Sequence, residues 1–118
     1  MDEDLEKILE ELQRTNQHLQ TILMQRQALM IQSAETEKAL EELEKCEGDI
    51  YKSIGPMLVK TTKTEMKKEL MESKEDVDLK MKSLEKQEKR MKDKIKESQE
   101  RFQELMKSSP QHNVNVGG

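Results

Sequence analysis

Cys46, His18 and His112 are the side chains best suited to metal binding or nucleophilic chemistry, and they are too few and too scattered for either. A zinc site needs several Cys or His ligands at short, regular spacings, whereas the two histidines stand near opposite ends of the chain without companions. No basic cluster flanks Cys46 to stabilise its thiolate, so it reads as a small helix residue, and a single cysteine leaves no intramolecular disulfide. No Ser-His-Asp set and no phosphate-cradling glycine loop is present. These residues predict a non-enzyme with no cofactor and no metal. The chemistry that remains is non-covalent, the covering and uncovering of apolar surface.

Of the 118 residues, 39% are charged, 32% hydrophobic and only 2% aromatic. Leu, Ile, Val and Phe together number 24, too few for an ordinary compact core. A long pair of helices can be built from so few apolar residues if they recur at the right spacing. Residues 60–96 are lysine-rich, but nine acids are interleaved with their thirteen bases and no aromatic is available to stack on a base, which argues against nucleic acid. No apolar run approaches the roughly 18 residues of a membrane span. The acidic start, Met1-Asp2-Glu3-Asp4, lacks the positive charge of a signal or transit peptide, and the lone cysteine fits a reducing compartment, so a cytoplasmic location is expected. Residues 1–50 carry 13 acids and 5 bases, while residues 51–118 carry 12 acids and 16 bases, so a chain folded back on itself sets an acidic half beside a basic one.

The spacing supplies that fold. Heptad position a falls at Leu5, Leu12, Leu19, Arg26, Ser33 and Leu40, and position d at Ile8, Thr15, Ile22, Leu29, Thr36 and Leu43. In the second half d falls at Leu70, Val77, Leu84, Met91, Ser98 and Leu105, and a at Lys67, Lys74, Met81, Glu88, Ile95 and Phe102. Both registers run without a skip, the pattern of a left-handed coiled coil, and polar members such as Arg26, Thr36 and Glu88 specify register. An antiparallel pair sets a against d, and Leu5 with Leu105, Ile8 with Phe102, Leu19 with Met91 and Leu40 with Leu70 share one midpoint, Gly55. No Pro or Gly interrupts residues 1–47 or 61–109, so each half can be one helix.

The hinge follows a different pattern. Gly48 is placed to end the first helix. Ile50 to Ile54, then Gly55-Pro56, then Met57 to Thr61 reads as strand, turn, strand, and Thr62 with Glu65 forms a capping box that opens the second helix. Alternation sets Ile50, Ile54, Met57 and Val59 on one face and leaves Tyr51 and Leu58 apolar on the other. A lone two-stranded hairpin that is apolar on both faces needs neighbours, so Ile50, Tyr51, Ile54, Gly55, Met57, Leu58 and Val59 are the expected oligomerisation residues. The fold class is therefore all-α dominated: an antiparallel two-helix coiled-coil hairpin with a single β-hairpin at its hinge, which oligomerises into a shared sheet or β-barrel. The expected divisions are a helix over 1–47, an assembly hairpin over 48–62, a helix over 63–107 and a disordered tail over 108–118.

At the open end Leu5, Ile8, Leu9 and Leu12 meet Phe102, Leu105 and Met106, more apolar side chains than two fraying helices can enclose. These seven are the candidate sites for contact with an apolar client. Leu9 and Met106 lie off the a and d positions and are the better candidates. Asp2, Glu3 and Asp4 would give the same end an acidic face.

The glutamine-rich first helix, Lys38-Ala39-Leu40-Glu41-Glu42-Leu43, the hinge Ile50-Tyr51-Lys52-Ser53-Ile54-Gly55-Pro56-Met57-Leu58-Val59-Lys60, and Leu84-Glu85-Lys86-Gln87-Glu88-Lys89-Arg90 together resemble a β-type prefoldin subunit over residues 1–107. The hinge is the most specific part, and its single hairpin separates the chain from the two-hairpin α-type subunits. The resemblance implies a hexamer of two α-type and four β-type subunits, whose hairpins form a double β-barrel and whose coiled coils hang from it. It implies an ATP-independent holdase co-chaperone that captures unfolded polypeptides at the coil tips and passes them to a group II chaperonin. Asp2, Glu3 and Asp4 would then be the chaperonin contact. The alternative is a structural or adaptor coiled coil without chaperone activity.

Overall fold

The computed structural model describes residues 3–108. Its elements run α1 (Glu3–Lys45), β1 (Ile50–Ile54), β2 (Met57–Thr61) and α2 (Lys63–Ser108). Met1, Asp2 and residues 109–118 lie outside the described residues, and with them Asp2 as a chaperonin contact and nearly all of the expected tail. Ser108, expected to begin that tail, closes α2 instead.

The chain divides into two units, one of residues 3–24 with 84–108 and the other of residues 25–83. In the first, Leu5, Ile8, Ile22, Leu84 and Met91 are buried, together with Thr15, Ser98 and Glu88. In the second, Leu43 and Val77 are buried with Thr36, whose hydroxyl donates to the Gln32 carbonyl at 2.9 Å. Every buried residue among those described occupies an a or d position, so the heptads locate the seam. Each fully covered aliphatic side chain contributes about 1.5–3 kcal/mol. Lys67 is the exception at position a: it is exposed, and its ammonium turns outward to the Glu44 carboxylate at 2.9 Å.

Ion pairs follow the direction of the pairing. Lys67 with Glu44 and Lys74 with Glu37, at 2.9 and 3.6 Å, join the helices of the second unit, and Arg101 with Glu11, at 4.0 Å, joins those of the first. The midpoint of each lies within one residue of Gly55, as an antiparallel hairpin centred there requires. Glu88 is buried at the seam, and its carboxylate accepts the Lys92 ammonium one turn later at 3.4 Å.

The hairpin is a two-stranded antiparallel sheet with Ile50 opposite Thr61, Lys52 opposite Val59 and Ile54 opposite Met57. Gly55 has φ of 55° and Pro56 follows it, so the two-residue turn has glycine at its first central position, where a left-handed backbone is needed and a side chain is disfavoured. Gly48 behaves differently from expectation. Helix α1 stops at Lys45, Gly48 is not left-handed, and the helix end is closed by the Cys46 amide donating to the Leu43 carbonyl at 3.2 Å. The Lys63 ammonium supplies a further donor to the Glu44 carbonyl at 3.0 Å, so a cation from α2 does work that a glycine cap would otherwise do. At the start of α2 the Glu65 amide donates to the Thr62 hydroxyl at 3.1 Å, half of the capping box. The Glu65 carboxylate accepts from the neighbouring Thr61 hydroxyl at 3.4 Å, which ties β2 to the first turn of the helix.

Candidate functional site

The hairpin presents apolar side chains that its unit leaves exposed. Tyr51, Ile54, Met57, Leu58 and Val59 are all exposed, Leu58 at 74%, while Ile50 is half-buried. The register places Ile50, Ile54, Met57 and Val59 on one face, and Tyr51 and Leu58 on the other. Lys52 shares the first face, and its ammonium meets the Glu69 carboxylate of α2 at 2.8 Å. In the sequence the only sign of this anchor is a lysine set among apolar residues on a strand face. A two-stranded sheet has two open edges as well as two faces, and in water both invite further strands.

At the root of the hairpin lies a groove of about 360 Å³, floored by Ala39, Leu43, Cys46, Ile50, Met66 and Leu70. Glu42, Asp49 and Tyr51 complete its lining. Cys46 is a free, half-buried thiol there.

The seven residues at the paired helix ends separate by burial. Leu5 and Ile8 are enclosed, at 3% and 2% exposure, whereas Leu9 is 39% exposed. Leu12, Phe102, Leu105 and Met106 are half-buried. The difference follows from position: Leu5 and Ile8 occupy the centre of the seam, and Leu9 flanks it. Asp4, Arg101, Glu104 and Ser108 surround Leu105 in an open groove of about 500 Å³, so the apolar surface at this end is set among charges. Glu3 and Asp4 lie in the first turn of α1, where acids complement the helix dipole.

His18 is exposed and lines a shallow groove with Glu11, Arg14, Thr15, Met91 and Lys94, a mixed-charge surface. His112 lies outside the described residues. Among the described residues no three His, Cys, Asp or Glu side chains are grouped to hold a metal ion, and no helix is long and apolar enough to cross a membrane.

The chain matches the prefoldin subunit family over residues 6–109. It is 36% identical over 109 residues to the prefoldin subunit beta of Archaeoglobus fulgidus, covering 91% of this chain and 92% of that one. To the prefoldin subunit beta of Thermococcus onnurineus it is 35% identical over 105 residues, covering 87% and 90%. The crystal structure of the prefoldin beta subunit from Thermococcus strain KS-1 superimposes with a TM-score of 0.81 at 32% identity, over 88% of this chain and 93% of that one. One hairpin between two long helices, in a sequence that aligns with β subunits almost end to end, shows that the chain belongs to the prefoldin subunit family, among its β-type members.

Proposed function

We propose that the chain is one subunit of an ATP-independent holdase, assembled through its hairpin as a hexamer of two α-type and four β-type subunits. The observation that carries this reading is the hairpin whose exposed side chains are apolar on both faces, which in a prefoldin family member is best explained as an element awaiting other hairpins. Family membership supports a co-chaperone role and a non-enzymatic one. In the assembly the hairpins close into a β-barrel, and unfolded polypeptides are held at the paired helix ends. Leu9, Leu12, Phe102, Leu105 and Met106 form the client surface, and Leu5 and Ile8 stiffen the seam beneath it. Each contact is weak, and several engaging one client make later contacts intramolecular. Clients then pass to a group II chaperonin in the cytoplasm, with the acidic residues Asp2, Glu3 and Asp4 meeting a basic surface.

The test is aggregation of a chemically unfolded client in the presence of this chain and an α-type subunit, without nucleotide. Suppression near one hexamer per client is expected. No suppression at that ratio would leave the adaptor coiled coil as the better reading.

A further inference from the structure

The net charge of the chain is −4, yet residues 14–24 and 84–96 of the first unit carry seven bases against three acids. The cause lies in α1, which has no acid between Glu11 and Glu35, so over this stretch the bases of α2 have none to face across the seam. Lys86, Arg90 and Lys94 recur at every fourth residue and are all exposed, so they form one row on successive turns of α2. The row ends at an open groove of about 460 Å³, where Lys94 and Arg14 of α1 stand over buried Met91 and Thr15. Glu11 is the one acid in the lining, and its carboxylate is turned to Arg101 at 4.0 Å.

Charge and spacing identify the occupant. Successive members of the row are about 6 Å apart along the helix, and alternate residues of an extended polypeptide are about 6.6 Å apart. Carboxylates at alternate positions of an extended chain therefore meet successive cations, and the Met91 side chain gives an adaptable apolar contact beside them. Single-stranded nucleic acid suits the row less well, because no Phe, Tyr or Trp stands in residues 12–34 or 84–96 to stack on a base. We propose that this groove and the row leading to it hold an extended acidic stretch of an unfolded client, a contact separate from the apolar one at Leu9 and Met106. This rests on the holdase reading above and adds a substrate class to it: clients with alternating carboxylates are held more firmly than neutral clients of equal hydrophobicity.

The probe is a short fluorescein-labelled peptide of alternating Glu and Ser, its binding to the full chain read by fluorescence anisotropy at low salt. Arg14→Gln, Arg90→Gln and Lys94→Gln together should weaken binding about tenfold with helix content by circular dichroism unchanged. A control with Lys38→Gln, Lys68→Gln and Lys107→Gln, all exposed elsewhere, should keep it. Equal losses in the two variants, or equal binding of a Gln-Ser peptide, overturn the proposal and leave the holdase reading standing. Tighter binding of a single-stranded oligonucleotide of the same charge, lost in the first variant, overturns the client as occupant. The assembly with an α-type subunit gives a second readout. Its suppression of aggregation should fall in the first variant for an acidic unfolded client and hold for a neutral one, and unchanged suppression of the acidic client overturns the proposal. No suppression of either client by the unmodified assembly overturns the holdase reading and this proposal with it.

Discussion

The Lys67 ammonium stands 2.9 Å from the Glu44 carboxylate and joins the last turn of α1 to the first turns of α2. That hydrogen bond, then the charge of Lys67 and then that of Lys63, holds the Glu44 carboxyl below the ordinary carboxylate range. A group whose pKa is depressed by folding contributes stability that is complete above its unfolded value and is lost as pH falls through the folded one. Thermal unfolding followed from pH 6 to pH 3 should therefore show a loss of midpoint below roughly pH 4 that is smaller in Glu44→Gln. Both side chains are more than half exposed, so high salt should shrink the difference. An unchanged acid limb in Glu44→Gln would assign the loss to other carboxylates.

Burial ranks the seam. Ile22 is 1% exposed, so Ile22→Ala should lower unfolding free energy by about 2–4 kcal/mol. Met30, at 57% exposed, should give less than about 0.5 kcal/mol on the same change. Urea denaturation of the two variants under one buffer checks the contrast.

The client surface makes a separable prediction. Leu9→Ser with Met106→Ser should reduce suppression of client aggregation several-fold while leaving the unfolding midpoint within a few degrees, because neither side chain is enclosed. Leu5→Ser or Ile8→Ser should lower both together. If Leu9→Ser and Met106→Ser hold clients as well as the unmodified chain, the client surface lies elsewhere.

Gly55→Ala tests the turn. A Cβ at Gly55 would meet nothing within 4 Å, so any cost comes from the backbone at φ of 55° and amounts to about 1 kcal/mol. The helices should be untouched by circular dichroism and assembly with an α-type subunit weakened. Loss of helix instead would show that the turn supports the coiled coil directly.

Most of the fold was legible because each element rests on a local rule. The heptads locate the buried positions, and Gly55-Pro56 locates a two-residue turn, since few other pairs satisfy its backbone. The end of α1 is not legible in the same way: Gly48 has the residue type of a cap, but the carbonyl it would serve accepts from Lys63 of the other helix, a contact that depends on how the two helices meet. The same holds for Lys52 and Glu69. The client residues were found as a group, and their division into enclosed and open members was not, because flanking and central positions differ only once the partner helix is in place. The groove at Cys46 was invisible for that reason, being made by three elements at once.

The common midpoint of the helix pairs also predicts an order of events in time. The turn at Gly55 closes a loop of two residues, and a hairpin of this size forms in roughly 1–10 µs. Each later pair along α1 and α2 then adds to contacts already made, so the loop entropy of bringing distant residues together is never met all at once. If the chain zips from its middle in this way, amide exchange under native conditions should slow from Glu3 and Ser108 inward toward Leu43 and Leu70.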